Sequence, residues 1–247
     1  MKKALFNWSG GKDSALALYK CLQQNEYSID SLFTSINHET KRISMHGVRY
    51  ELLQKQAELL NIPLKTMSLP IDTSMATYEK YMLKQMSEYK SKGVNYSIFG
   101  DIFLEDLRVF RENQLDKVKI KAVFPLWKQN TKDIINEFID AGFKTIVTAV
   151  DASKLGKEFV GRVIDKQFLK DLPKDVDPCG ENGEFHTFVF DGPIFKNPID
   201  IEKGEIIYKE YQAGTCSDFE DNDNKDTEIK NFGFWFCDII EKQKPTL

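Results

Sequence analysis

The residues best suited to chemistry form a glycine-rich loop near the start of the chain, Ser9–Ser14, with the sequence SGGKDS. A short apolar run precedes this loop, and apolar residues recur at helical spacing after it, which predicts a strand, a tight turn and a helix. The adjacent glycines allow close backbone approach and positive φ angles. The free N–H groups and the dipole at the start of the helix would then bind an anion, most commonly a phosphate.

The spacing within this loop discriminates between phosphate-binding motifs. The loop lacks the four residues that separate the glycines of a Walker A motif, and it lacks the third glycine of a dinucleotide-binding motif. Its pattern resembles instead the PP-loop ATP pyrophosphatases, enzymes that cleave ATP between the α and β phosphates through adenylated intermediates. The structural alternative is a glycine turn that caps an ordinary helix. Because the motif follows the first predicted strand, we favour ATP binding.

A second group of reactive side chains lies in the stretch 178–189, with the sequence PCGENGEFHTFV. Two carboxylates and an imidazole crowd a turn with two glycines, just where a strand is predicted to begin. Side chains alternate along a strand, so Glu184, His186, Phe188 and Phe190 should share one face. A surface turn leading into a half-buried strand would explain the glycines, but not a histidine that faces the same way as two phenylalanines. We therefore favour a functional role for this stretch.

With both stretches in view, the chain resembles the diphthine–ammonia ligase family of PP-loop proteins. That family carries a Cys-Gly-Glu-Gly-Gly-Glu-aromatic-Glu-Thr segment ahead of an Asp-x-Pro-x-Phe segment. The matching residues are Cys179, Gly180, Glu181, Gly183, Glu184, Phe185, Thr187, Asp191, Pro193 and Phe195. Further matches are Gly100, Arg108, Glu112, Asn113, Pro125, Leu126, Trp127, Leu155 and Gly156. The resemblance extends from about Leu5 to Phe195.

The resemblance implies an enzyme that activates a carboxylate with ATP and Mg²⁺, releases pyrophosphate, and lets ammonia displace AMP to form an amide. The expected nucleotide-binding residues are Ser9, Gly10, Gly11, Lys12, Asp13, Ser14 and Gly100. Lys12 would stabilise the leaving pyrophosphate, and Asp13 would orient the loop or bind magnesium. Glu181 and Glu184 would face the acyl acceptor side and either steer ammonium or accept its proton, with His186 as the remaining catalytic candidate.

Two departures from the family pattern leave the acyl substrate open. The family has Gly-Ala-Ile where this chain has Gly100-Asp101-Ile102, and it has a glutamate where this chain has His186. The carboxylate could thus be protein-borne, as in diphthine, or belong to another small molecule. The candidates for binding it are His46, Asp101, Arg108, Glu112 and Thr187. A loop histidine and a surface i,i+4 ion pair are the structural alternatives for three of them, and a nucleotide sensor without turnover is the alternative function.

Strands alternate with helices along the first 150 residues, which predicts an α/β domain. The strands are expected near Ala4–Phe6, Ile29–Ile36, Leu64–Leu69, Tyr96–Gly100, Ala122–Phe124 and Lys144–Val150. A parallel sheet with helices on both faces, similar to the adenine nucleotide α-hydrolases, accounts for this order. Ligands bind such sheets beyond the carboxyl ends of the strands. We therefore expect Ser9–Ser14, the loop near 37–46 and the segment 100–102 to converge.

The pattern changes after about residue 150, so we predict a nucleotide-binding domain at 1–150 and a smaller α+β domain at 151–247. One helix is expected at Lys157–Leu169, followed by antiparallel strands near Glu184–Phe190, Glu205–Tyr211 and Phe232–Ile240. The acidic segment Ser217–Lys230 is typical of a solvated loop.

Composition restricts the compartment and the partners. The net charge of −4 gives no broad basic face, which disfavours a nucleic-acid partner. Neither a signal-peptide core nor a long apolar stretch is visible, and the four cysteines have no C-x-x-C spacing, so a cytoplasmic protein without membrane contact is expected. No glutaminase-like nucleophile is apparent, which leaves free ammonium or a partner enzyme as the nitrogen source. A homodimer is the candidate assembly.

Overall fold

The computed structural model describes residues 1–43, 46–70, 73–211 and 232–242 of the chain. The predicted acidic loop at Ser217–Lys230 lies outside these described residues. Two sheets make up the fold, one parallel and one antiparallel. The expected combination of an α/β domain with an antiparallel C-terminal sheet is confirmed.

The parallel sheet contains five strands: β1 (Lys2–Asn7), β2 (Tyr27–Asn37), β3 (Leu64–Leu69), β4 (Tyr96–Ile98) and β5 (Lys121–Val123). They lie in the order β3-β2-β1-β4-β5. The helices that alternate with them are α1 (Lys12–Gln24), α2 (Tyr50–Leu60), α3 (Met75–Ser91), α4 (Glu105–Asp116) and α5 (Thr131–Asp140). The order reverses at β1, and a ligand site is expected beyond the carboxyl ends of β1 and β4.

Helices cover both faces of this sheet, as predicted. Alternate residues of β1 point to opposite sides, so that Ala4 and Phe6 pack in one hydrophobic cluster and Leu5 in another. The first cluster includes residues of α1, α2 and α5, and the second includes residues of α3 and α4. Because both faces are covered, β1 is apolar in three consecutive residues rather than alternating.

The antiparallel sheet contains β6 (Lys144–Asp151), β7 (Phe185–Asp191), β8 (Ile201–Tyr211) and β9 (Phe232–Glu241). These strands lie in the order β7-β6-β9-β8. The expectation that the sixth strand continues the parallel sheet is wrong, because β6 pairs antiparallel with β7 and β9. The apolar sequence of β6 reflects burial on both faces, which a central strand of either kind of sheet shows. The domain boundary at residue 150 stays a prediction.

The helix predicted at Lys157–Leu169 is shorter and begins later: α6 spans Lys166–Asp171. The preceding segment pairs with β6 instead: the Gly161 N–H donates to Val147 O at 2.8 Å, and the Val147 N–H donates to Arg162 O at 2.9 Å. Gly161 has a φ of +77°, which ends any helical path there. Asp165 then caps α6 by accepting hydrogen bonds from two of its N–H groups.

One hydrophobic core joins the two sheets. The larger cluster contains Phe6 of β1 and Leu16 of α1 together with Val147 of β6 and Phe188 of β7. The antiparallel sheet is therefore packed against the α1 side of the parallel sheet. Across the ranges that the structure describes, no helix is long and apolar enough to cross a membrane.

Candidate active site

The glycine loop forms the tight turn between β1 and α1 that its sequence predicts. Gly10 has a φ of +76°, and Gly11 is the N-cap residue of α1, with no side chain with which to cap the helix. The Ser9 and Ser14 hydroxyls lie 3.1 Å apart, and Ser14 Oγ donates to Gly11 O at 2.9 Å. Glycines and short serine side chains therefore surround the start of the helix, as an anion-binding loop requires.

Gly100 brings the end of β4 against this loop. A Cβ atom at Gly100 would lie 2.8 Å from Ser14 N and 2.9 Å from the carbonyl carbon of Asp13. Only glycine permits this approach of two backbones, because a Cβ atom would collide with main-chain atoms that cannot move aside. The predicted convergence of the loop with the 100–102 segment is therefore confirmed.

Gln56 of α2, which the sequence analysis missed, fixes the loop from the other side. Its side chain is fully buried, and its amide donates to Gly10 O at 3.0 Å and to Val189 O at 2.7 Å. Its carbonyl oxygen accepts from Trp8 Nε1 at 2.9 Å. Both the nitrogen and the oxygen of this buried amide are hydrogen-bonded, and these bonds link the loop, α2 and β7. The signal in the sequence was Gln56 itself, a polar residue at a position of α2 where the helical pattern is otherwise apolar.

Thr187 of β7 contacts the glycine loop Ser9–Ser14, called the phosphate loop from here on after its predicted ligand. The role of Thr187 in substrate binding stays a prediction. Its hydroxyl accepts from the Lys12 N–H at 3.1 Å, and its backbone oxygen would lie 3.1 Å from a Cβ atom at Gly11. Two residues further along β7, the Val189 N–H donates to Gly10 O at 2.9 Å. One of the amides expected to bind pyrophosphate thus already has a partner, which a phosphate oxygen would have to displace.

Lys12 and Asp13 form a buried ion pair. Lys12 Nζ lies 2.8 Å from Asp13 Oδ2, and the Lys12 side chain is only 4% exposed. Burial is the largest influence and acts to lower the pKa of Lys12, but Asp13, Cys179 and Glu181 together outweigh it, and the pKa is raised. The ammonium group also lies 5.4 Å from the centroid of the Phe185 ring. Lys12 therefore remains cationic at the phosphate loop, as its predicted role requires.

Glu181 connects the second predicted stretch to the end of β4. Its Oε1 accepts from the Ile102 N–H at 2.7 Å. Burial raises the pKa of Glu181 to about 7, and the neighbouring Asp13 carboxylate adds to this shift. Glu181 can therefore hold or release a proton near neutral pH.

Glu184 has a different environment, because its hydrogen bonds fall within its own turn. The side chain is 3% exposed and accepts from the Asp177 N–H at 3.1 Å and from the Asn182 N–H at 2.9 Å. Asn182 Nδ2 also donates to it, at 3.0 Å. These contacts shape the turn that carries Glu181. The catalytic role expected of Glu184 stays a prediction.

Asp101 is paired with Arg111, which the sequence analysis also missed. Arg111 Nε lies 2.8 Å from Asp101 Oδ2, and the guanidinium lies 4.4 Å from the Phe99 ring centroid. The carboxylate that distinguishes this chain from the family pattern is therefore balanced by a cation. The role of Asp101 in substrate binding stays a prediction.

Arg108 and Glu112 form the i,i+4 pair that their spacing predicts, with Arg108 Nε 2.8 Å from Glu112 Oε1. The guanidinium also lies 4.7 Å from the ring centroid of Trp127 and 5.4 Å from that of Phe124. Such stacking fixes a guanidinium in one orientation beyond the ends of β4 and β5. A role in substrate binding stays a prediction for both residues.

His46 and His186 stack on each other. Their ring centroids are 4.4 Å apart, and the rings are inclined by 34°. Burial, reinforced by Lys12, lowers the pKa of His46 to about 4; burial, together with His46 and Lys12, lowers that of His186 well below 6.5. The loop after β2 is thereby brought to β7, as the predicted convergence requires. Both imidazoles are neutral at physiological pH.

A magnesium site is not assembled from side chains alone. Among the described residues, no group of three or more His, Cys, Asp or Glu side chains could hold a metal ion. Asp13 Oδ1 is nevertheless buried without a hydrogen-bond partner within the described ranges. Magnesium bound with ATP takes one or two carboxylates along with phosphate oxygens and water, so this atom fits such a role.

Comparison with known families agrees with this geometry. The model of the diphthamide synthase N-terminal domain matches residues 1–122, and that of the diphthamide synthase C-terminal domain matches residues 130–218. The chain belongs to the diphthamide synthase family. It is therefore an enzyme of the ATP-dependent, amide-forming ligase class.

Relatives with curated names support the same assignment. The chain is 26% identical over 222 residues to a diphthine–ammonia ligase of Bos taurus, covering 81% of this chain and 82% of the relative. It is 25% identical to the diphthine–ammonia ligase of Homo sapiens, with the same coverage.

Among solved structures, the U34-tRNA thiolase NcsA from Methanococcus maripaludis with its [4Fe-4S] cluster aligns with a TM-score of 0.36 and 14% identity, over 56% of this chain and 57% of that one.

Proposed function

We propose that this enzyme adenylates a carboxylate with ATP, releases pyrophosphate, and amidates the acyl adenylate with ammonia. The observation that carries the proposal is the glycine loop at the start of α1, closed by Gly100, with the cationic Lys12 buried beside it. This arrangement suits the triphosphate of ATP and the charge that develops on a leaving pyrophosphate.

In the first step the substrate carboxylate attacks the α-phosphorus of ATP, and the bond from that phosphorus to the pyrophosphate oxygen breaks. The Ser9 and Ser14 hydroxyls and the loop amides would hold the phosphates, and Lys12 would stabilise the leaving group. A bound Mg²⁺ would neutralise phosphate charge, and Asp13 Oδ1 is the atom of this chain best placed to hold it.

In the second step ammonia attacks the acyl carbon, and the bond from that carbon to the AMP oxygen breaks. The nitrogen must lose one proton to become an amide. Glu181, with a pKa of about 7, is the group best suited to accept it. The stacked imidazoles of His46 and His186, both partly buried, would line the acyl side of the loop.

The relatives' names make diphthine the first carboxylate to test and ammonia the nitrogen source. We further propose a cytoplasmic enzyme, since Cys21, Cys179 and Cys237 are free and buried, as is usual in a reducing compartment. The homodimer stays a prediction, for sedimentation analysis to test.

Product analysis tests the proposal directly. The protein is incubated with MgATP, ammonium chloride and diphthine, free or protein-bound, and the phosphorus-containing products are identified by ³¹P NMR. We expect AMP and pyrophosphate in equal amounts, at a rate at least ~100-fold lower in Asp13→Asn because transition-state charge is no longer organised.

The matched control is Asp30→Asn, which removes a carboxylate paired with Lys3 on the surface. Formation of ADP and phosphate would contradict the PP-loop chemistry. AMP and pyrophosphate formed only with a different acid would retain the ligase mechanism and exclude diphthine.

A further inference from the structure

The last strand, β9, lies beyond residue 218, where the family match ends. Its residue Asp238 contacts two arginines of the segment between β2 and α2. Arg49 Nε donates to Asp238 Oδ1 at 3.0 Å, and Arg42 Nη2 lies 2.9 Å from the same oxygen. One carboxylate of the C-terminal sheet thus binds both ends of the segment that contains His46.

Arg42 extends this connection to the neighbour of His46. Its second guanidinium nitrogen donates to Gly47 O at 2.6 Å. Gly47 has a φ of +67°, and a Cβ atom there would lie 3.0 Å from the Phe236 ring. β9 therefore approaches the backbone next to His46 with the Phe236 ring as well as through Arg42.

The same segment places His46 at the reactive end of the fold. Its backbone is closed by the Ile43 N–H, which donates to Val48 O at 2.9 Å, and by the Tyr50 N–H, which donates to Lys41 O at 3.0 Å. The ring of His46 then stacks on His186, the residue before Thr187, whose hydroxyl binds the phosphate loop. A contiguous set of contacts leads from Asp238 to the phosphate loop.

We propose that Asp238 is a positioning residue of the active site: through Arg42 and Arg49 it fixes the segment that stacks His46 on His186. Its consequence for catalysis rests on the proposed ligase function. The strand that carries Asp238 is then part of the site, although the family match does not include it.

An ordinary stabilising ion pair is the competing explanation, and the same strand contains one. Lys55 of α2 lies 3.1 Å from Glu241 of β9, with both side chains more than a third exposed. This pair also joins β9 to α2, but it lies outside the segment that contains Arg42, Arg49 and His46. Glu241→Gln is therefore the matched control for Asp238→Asn.

Histidine NMR tests the proposal without any substrate. The chain contains three histidines, so the imidazole signals of isotope-labelled protein can be assigned by single His→Gln variants. In Asp238→Asn we expect the signals of His46 and His186 to move, because the stacked rings shift relative to each other. The signal of His38 should stay, since that residue is held by Ser68 and by Leu69 O on β3.

Asp238→Glu should restore the signals of both rings in part, and Glu241→Gln should leave all three histidines unchanged. If Asp238→Asn does not fold, Arg42→Lys serves instead, because it keeps the charge but loses the fork that binds Asp238 and Gly47 together. Unmoved His46 and His186 signals in the folded variant would overturn the proposal and leave Asp238 with a structural role.

The kinetic consequence is measured separately, as the rate of AMP formation from MgATP and ammonium with diphthine. For Asp238→Asn we expect kcat/KM for the acid to fall by about 10-fold, with KM for ATP within ~2-fold, because misplacing a positioning group by a fraction of an ångström has effects of this size. A fall in thermal stability with unchanged kcat/KM would contradict it. Since the NMR result needs no turnover, failure of the ligase assay and failure of this proposal remain distinguishable.

Discussion

Burial decides the protonation states of individual residues at this site. It raises the pKa of Glu181 to about 7 and lowers that of His46 to about 4, in both cases because the charged form loses hydration. The carboxyl group therefore changes its protonation state near neutral pH, whereas the imidazole remains neutral. This reverses the usual assignment of acid–base roles to histidine and glutamate.

The variant Glu181→Gln tests this shift through the pH dependence of stability. Above its ordinary pKa of 4.5 the unfolded chain has released the proton, whereas the folded protein keeps it until about pH 7. The stability that this group contributes is therefore complete below pH 4.5 and is lost as the pH rises to 7. Because glutamine cannot ionise, we expect the melting temperature of the variant to rise relative to wild type between pH 5 and pH 8.

Thermal unfolding at several pH values measures this difference. Glu112→Gln, which removes a carboxylate from the partly buried pair with Arg108, is the control for the loss of one negative charge. A constant difference between the Glu181→Gln and wild-type melting temperatures would show that the pKa of Glu181 is not raised.

The variant His186→Ala tests the acyl side of the site. It removes the ring against which His46 stacks and leaves the backbone contacts of β7 with the phosphate loop in place. We expect KM for the carboxylate to rise by about 10-fold, the upper range for one lost aromatic contact, and the affinity for ATP to stay within ~2-fold. Initial-rate kinetics and calorimetric titration with ATP measure the two values. An equal loss of both would indicate that the ring touches the nucleotide.

At the scale of the elements, β7 and α2 hold the phosphate loop from two sides. β7 contributes the Thr187 hydroxyl and the Val189 N–H, and α2 contributes the amide of Gln56. The loop is thus preorganised by one helix that covers the parallel sheet and by one strand of the antiparallel sheet. Its shape depends on tertiary contacts as much as on its own glycines.

The variant Gln56→Leu measures this support. It leaves Trp8 Nε1 and Val189 O without their side-chain partner in a buried position. We expect the free energy of unfolding to fall by about 3 kcal/mol, the cost of one or two buried polar groups without partners, and the affinity for ATP to fall with it. Urea unfolding followed by fluorescence gives the first value.

The control for this variant is Gln129→Leu. Gln129 is exposed, and its side-chain amide donates a hydrogen bond to Pro125 O. Its replacement should change the free energy of unfolding by less than about 0.5 kcal/mol. Equal effects at the two positions would mean that burial of Gln56 adds nothing to its hydrogen bonds.

Local patterns were enough to predict most elements and the loop. The glycine motif and the strand at Leu64–Leu69 each follow from short-range rules of spacing, and the structure places them as expected. The convergence of three loops followed from the parallel topology. The glycine motif and the strand depend on residues near each other in sequence, whereas the convergence depends only on the order of strands and helices.

Sheet membership and side-chain pairing could not be predicted in the same way. A strand that is buried on both faces, such as β6, has the same apolar sequence in a parallel and in an antiparallel sheet. Arg111 lies ten residues from Asp101, and Gln56 lies 46 residues from Gly10. Their partners are set by packing between elements, which spacing along one helix does not reveal.

At the scale of the whole molecule, the shared core predicts one cooperative unfolding transition. The larger hydrophobic cluster contains residues of both sheets, such as Phe6 and Phe188, so neither sheet can unfold without exposing the apolar surface of the other. Differential scanning calorimetry should show a single transition whose calorimetric and van't Hoff enthalpies agree. Two resolved transitions would mean that the two sheets belong to independently stable units.

The contact between Thr187 and the Lys12 N–H has a consequence for product release. A phosphate oxygen that binds this amide replaces the threonine hydroxyl. The free energy gained is therefore the difference between two hydrogen bonds and not that of one complete hydrogen bond. When pyrophosphate departs, the same hydroxyl can return, and the amide is not left without a partner. If the loop binds pyrophosphate as we propose, this exchange would weaken the binding of the leaving product and favour its release.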